Sequence, residues 1–129
     1  MPLGYASRPL VAVVDDDLSI REFLPHLLRE FGFDAEAYES PEEFLRSAFV
    51  ERTDCLLLDI AMPGMSGLDL QNALSHLKWA IPIVFITGEP DLGVRARVLA
   101  AGAVECLFKP IPESALLRAL TAALAASPR

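Results

Sequence analysis

Three acidic residues in a row, Asp15, Asp16 and Asp17, end the apolar run Leu10 to Val14, and no Lys or Arg follows them before Arg21. Carboxylates crowded at the end of a buried segment repel one another, which favours capture of a cation or a raised proton affinity. The arrangement recurs twice: Cys55-Leu56-Leu57-Leu58 ends on Asp59, and Cys106-Leu107-Phe108 ends on Lys109. Each is a short apolar strand candidate with a charge at its C-terminal end. In an open parallel sheet those ends collect along one edge, where ligands bind. The pattern therefore predicts one acidic, cation-seeking pocket with a single lysine reaching into it.

Such a pocket needs strands alternating with helices, and strand-like and helix-like segments alternate five times along the chain, the pattern of a parallel α/β sheet. After the first strand, Ser19-Ile20-Arg21-Glu22 reads as a capping box. Ile20, Phe23, Leu24, Leu27, Leu28 and Phe31 then fall at helical spacing, with a kink expected at Pro25 and a stop at Gly32. Asp34 to Tyr38 reads as a partly polar edge strand. Ser40-Pro41-Glu42-Glu43 opens a second helix with Phe44, Leu45, Ala48 and Phe49 as its buried face. The third strand runs from Cys55 to Asp59, and the Pro and two Gly of Ile60 to Gly67 make a loop expected to curl over the pocket. Leu70, Leu74 and Leu77 mark a third helix, and Ile81 to Thr87 a fourth strand broken by Gly88-Glu89-Pro90. Leu92 to Ala101 makes a fourth helix stopped by Gly102. The last strand, Cys106 to Lys109, precedes a helix from Pro112 to Ala126 with Leu116, Leu117, Leu120 and Leu124 inward.

At 129 residues, 53% hydrophobic and 22% charged, the chain suits one domain with a full core. Its formal net charge of −7 argues against a nucleic-acid surface and fits a held divalent cation or a basic partner. The two cysteines, Cys55 and Cys106, lie in apolar strands without Cys-x-x-Cys spacing and read as buried thiols. No secretory signal precedes the first strand and no apolar stretch is long enough to span a membrane, so a cytoplasmic location is expected. His26 and His76 read as surface residues, Met62 and Met65 as packing over the pocket, and Trp79 as a rim residue.

The residues Val14-Asp15-Asp16-Asp17, Leu58-Asp59-Ile60-Ala61-Met62-Pro63-Gly64-Met65-Ser66-Gly67, Ile86-Thr87-Gly88, Ala101-Gly102-Ala103 and Lys109-Pro110 occur in an informative order. With them the chain resembles the receiver domain of two-component response regulators, over about Pro9 to Ala126. Ile81 to Gly88 and Ala101 to Val104 look most like receivers of the nitrogen-fixation regulator type. The resemblance implies a flavodoxin-like, doubly wound five-stranded parallel sheet in the order 2-1-3-4-5 with five helices. Residues 1–8 would be an N-terminal extension, 9–126 the receiver domain and 127–129 a tail. No output domain follows in this sequence, which leaves open a stand-alone receiver or the receiver of a longer regulator.

The resemblance also implies roles. Asp59 would be the phosphoacceptor, a carboxylate nucleophile that becomes an acyl phosphate. Asp15 and Asp16 would hold Mg2+ together with Asp59 and the backbone carbonyl of Ala61, hard oxygen ligands for a hard cation. Asp17, by contrast, reads from its place before the first helix as a first-turn acid favourable to the helix dipole. Lys109 would pair with Asp59 at rest and with a phosphoryl oxygen afterwards, Thr87 would donate its hydroxyl to that group, and the Lys109–Pro110 bond is a candidate for cis geometry. The implied partner is a sensor histidine kinase or histidine phosphotransfer protein, with phosphorylation-dependent homodimerisation or effector binding as output. Neither a membrane nor turnover of an external substrate is expected, and nucleic acid only through an output domain absent from this chain.

One position departs from the family. Three residues before the lysine, where receivers usually carry an aromatic switch residue, stands Cys106; Phe108 lies on the same side by strand alternation and is one candidate to replace it. The alternatives are a switch through rearrangement of the fourth helix alone, or a simply packed Cys106 with the output surface responding by another route. A different class also accommodates the triplet: a haloacid-dehalogenase-type aspartyl phosphatase, with Asp15 as nucleophile, Thr87 binding phosphate and Lys109 stabilising it. Such an enzyme needs a further acidic motif after the lysine, where only Glu113 follows. A flavodoxin-like electron carrier is set aside, because its first loop cradles phosphate and would not be Asp-Asp-Asp.

Overall fold

The computed structural model describes residues 8–60, 62, 64–76, 81–88 and 91–126. Ala61, Pro63, Leu77, Trp79, Glu89 and Pro90, and the segments 1–7 and 127–129, lie outside the described residues. Strands β1 (Leu10–Val14), β2 (Asp34–Tyr38), β3 (Cys55–Asp59), β4 (Ile83–Thr87) and β5 (Glu105–Phe108) form one sheet in the order β2-β1-β3-β4-β5. All its pairings are parallel. Helices α1 (Leu18–Glu30), α2 (Pro41–Arg46), α3 (Gly67–Ser75), α4 (Leu92–Ala100) and α5 (Glu113–Ala126) connect and cover it.

The apolar runs become central strands because both sheet faces are covered. Every residue of β1, β3 and β4 is buried, whereas β2 at one edge exposes Asp34 and Glu36. Alternation divides the side chains between two layers. Val11, Val13, Cys55 and Leu57 face α1 and α5 through Leu24, Leu28, Leu116 and Leu120. Ala12, Val14, Leu56, Leu58 and Cys106 face α2, α3 and α4 through Phe44, Leu70, Leu74 and Val98. Each fully buried Leu or Val stabilises the fold by roughly 1.5–3 kcal/mol before ordering entropy is counted. The cysteines are free and buried, on different layers, as the sequence predicts for inert thiols. Burial pushes the Cys55 thiol up to about 12.

Several boundaries differ from expectation. Asp17, not Ser19, caps α1: its side chain accepts a hydrogen bond from the Ser19 N–H at 2.9 Å. The buried stripe of α1 is Leu24, Leu27 and Leu28, with Phe23 exposed about a quarter-turn to one side. α2 is short, ending where Ser47 turns extended, so Ala48 is exposed and Val50 is the buried residue that follows. β4 begins at Ile83, and α5 buries Leu116, Ala119, Leu120 and Ala123, leaving Leu117 41% exposed on its flank. Gly32 does end α1: at φ 100° it lets Gly32 N–H and Phe33 N–H close back onto Arg29 and Leu28.

Candidate functional site

The C-terminal ends of β1, β3, β4 and β5 bring the singled-out charges together. Asp15 follows β1 and is fully buried; its Oδ1 accepts from the Asp17 N–H at 2.9 Å and its Oδ2 from Lys109 Nζ at 2.9 Å. Its carbonyl accepts from the Arg21 guanidinium at 3.0 Å, which ties the acid loop to α1. Asp16 is exposed, while Asp59, closing β3, is 7% exposed and Thr87, closing β4, is 4% exposed. Lys109 continues β5, donating its N–H to the Thr87 carbonyl at 2.8 Å, and the Lys109–Pro110 peptide is cis.

Lys109 departs from expectation in its resting partner: the ion pair is with Asp15, not Asp59. Asp15 has no solvent exposure, and one of its oxygens already serves a turn N–H, so the buried charge draws the ammonium to the other. Burial pulls the Lys109 ammonium down, but the hydrogen bond and charge of Asp15, with the charges of Asp59 and Asp17, outweigh it and leave its proton affinity raised. Asp59, which makes no ion pair among the described residues, is pushed up to about 6 by burial first and the Asp15 charge second, with Lys109 opposing. A carboxylate so placed gains from any added positive charge.

Carboxylate oxygens of Asp15, Asp16 and Asp59 all lie within 4.8 Å of one another. The donor set is all oxygen and three carboxylates converge on one point, so the residues fit a hard divalent cation. The fourth predicted ligand, the carbonyl of Ala61, is outside the described residues. Asp17 is engaged as the α1 cap and is not part of the cluster.

The loop after β3 contains two features that sequence reasoning passed over. Gly67 opens α3 so close to β3 that a Cβ there would run into the Asp59 carbonyl oxygen, and its N–H donates to Ile60 at 2.9 Å. Ser66 and Asp69 form a reciprocal capping box, which the pattern Ser-x-x-Asp could have signalled. Met62 is buried and Met65 half-buried against the α2–α4 layer. Cys106 is buried on that layer, and Phe108 packs on the same side, opposite Thr87 in the β4–β5 register. His26 and His76 are exposed.

A parallel sheet with an acid triad and a lysine at its carboxyl edge is the arrangement of a receiver, and the sequence profile of the response regulator receiver domain matches residues 11–121. The chain belongs to that family. Nodulation protein W of Bradyrhizobium diazoefficiens is 42% identical over 92% of this chain and 52% of its own length. The solved structure of response regulator StyR superposes with a TM-score of 0.85 at 45% identity, covering 94% of this chain and 61% of that one. FixJ-N superposes with a TM-score of 0.83 at 32% identity, covering 94% and 97%. The chain spans about half the length of the curated relatives it matches.

The phosphatase alternative is not supported. The family whose profile matches residues 11–121 is the receiver, and no phosphatase profile stands beside it among these matches.

Proposed function

We propose that residues 9–126 form a phosphorylation-activated switch in which Asp59 accepts a phosphoryl group from a sensor histidine kinase or histidine phosphotransfer protein. One observation carries this: a nearly buried carboxylate, pushed up to about 6, sits at a strand end beside two further carboxylates and one lysine. Asp15, Asp16 and Asp59, with the Ala61 carbonyl, would hold Mg2+, which when bound supplies positive charge against the incoming phosphoryl oxygens. An Asp59 oxygen attacks phosphorus as the phosphorus–nitrogen bond of the donor histidine breaks. Lys109 shifts part of its charge from Asp15 to a phosphoryl oxygen, and the Thr87 hydroxyl donates to another.

The added charge then favours a different packing of α4 against β5 and α5, the face that would dimerise or bind an effector. Cys106 cannot supply a swinging ring, so Phe108, aligned with Thr87, is the candidate to transmit the change. The protein would act as a cytoplasmic signalling domain without turnover of an external substrate. Among the described residues no helix is long and apolar enough to cross a membrane. Incubation with labelled acetyl phosphate and Mg2+ tests the proposal: wild type should incorporate label and Asp59→Asn should not. Equal labelling of the two would remove Asp59 from the role.

A further inference from the structure

We infer that Glu42, on α2 and outside the acid cluster, is a positioning residue for phosphoryl transfer, acting by holding the loop between β3 and α3. The inference rests on Asp59 being the phosphoacceptor. That loop leaves directly from Asp59 and is closed at its base by the Gly67 N–H on the Ile60 carbonyl. Its far side is gripped from another element: Glu42 Oε2 accepts from the Met65 N–H at 3.3 Å, across 23 positions of sequence. At the preceding residue, Gly64 has φ +76° and a Cβ would stand 3.0 Å from the same oxygen. The same oxygen thus holds the Met65 N–H and occupies the space that a side chain at Gly64 would need.

Glu42 is not placed there by chance of a flexible side chain alone. Ser40 caps α2 and Pro41 opens it, fixing Glu42 at the second helical position, while Phe44 anchors the same short helix in the core. The other carboxylate oxygen, Oε1, is buried with no hydrogen-bond partner among the described residues. Burying an unpaired carboxylate oxygen is unfavourable, so the loop contact is the interaction that accounts for the side chain lying inward. Glu42 touches no reacting atom. Its effect reaches Asp59 through Met65, Gly64 and the loop base, where displacements well under an ångström alter the attack geometry.

Asparagine-length or apolar replacements would release the loop, whereas glutamine keeps an acceptor oxygen at the same reach. Purified wild type, Glu42→Ala, Glu42→Gln and Asp59→Asn proteins are compared for the initial rate of label uptake from acetyl phosphate with Mg2+, and for hydrogen exchange at the Met65 amide. Glu42→Ala should slow uptake about three- to tenfold and lose protection at Met65, and Glu42→Gln should restore both. Uptake by Glu42→Ala at the wild-type rate, or Glu42→Gln as slow as Glu42→Ala, would overturn the inference while leaving Asp59 in its role. Absence of label from wild type, or its retention by Asp59→Asn, would instead overturn the phosphoacceptor assignment on which it rests.

Discussion

Asp59 is a carboxylate in a place that resists its charge. Its proton affinity lies above the ordinary value of 3.8, at about 6, because burial and Asp15 outweigh Lys109. The folded state therefore binds a proton that the unfolded chain releases, and that contribution to stability is complete below about pH 4 and lost as pH rises through about 6. Asp59→Asn should be more stable than wild type at pH 7.5 by about 1–2 kcal/mol, less than the full shift implies because water reaches the pocket mouth. The difference should shrink toward zero below about pH 4 in urea titrations across pH. A constant gap would mean that Asp59 is not the strained group. Its neighbours in the triplet separate by partner. Asp16→Ala, at an exposed site, should leave stability within about 0.5 kcal/mol but weaken Mg2+ binding. Asp17→Ala should do the reverse, removing about 1 kcal/mol of cap stabilisation with Mg2+ affinity kept, as calorimetric titration beside thermal melts would reveal.

Among the elements, the strands were the most legible, since a run such as Leu10 to Val14 has no polar face to leave exposed and must lie between two layers. Helix ends were less so. Ser19 matched a capping box, yet Asp17 is better placed because the chain leaves β1 only two residues earlier and its carboxylate meets the Ser19 N–H at once. The shortness of α2 and the exposure of Phe23 and Leu117 depend on how far each helix leans on the sheet, which periodicity does not specify. The resting partner of Lys109 was hidden for a related reason: Asp15 and Asp59 are both buried strand-end acids, and which of them the ammonium reaches is set by side-chain geometry that the sequence does not specify. Gly67 carries the clearest tertiary demand. Gly67→Ala should press on the Asp59 carbonyl and destabilise the fold by about 2–3 kcal/mol, whereas Gly88→Ala, with open space at its Cβ position, should change it far less. Paired thermal melts distinguish the two; equal losses would contradict the close approach of α3 to β3.

At the scale of the molecule, the sheet edge that gathers the acids is also continuous with the surface that would carry the output. Thr87 ends β4 beside Phe108 of β5, and Arg95 of α4 reaches across to Glu105 at 2.7 Å and to the Cys106 carbonyl at 3.4 Å. A change at Thr87 thus has short covalent and packed paths to α4. If Phe108 has taken over from the missing aromatic, Phe108→Ala should keep label uptake within about twofold while diminishing the amide shift changes of α4 that accompany phosphorylation. Cys106→Ala should keep both. Undiminished α4 shifts in Phe108→Ala would place the relay elsewhere.

The central claim is chemical, that one carboxylate of the cluster becomes an acyl phosphate, and it can be located directly. After incubation with acetyl phosphate and Mg2+, borohydride reduction converts an aspartyl phosphate to homoserine, which peptide mass spectrometry assigns to a residue. Homoserine at position 59 is the expected result. Homoserine at Asp15 or Asp16, or none in a sample that binds Mg2+, would contradict the account.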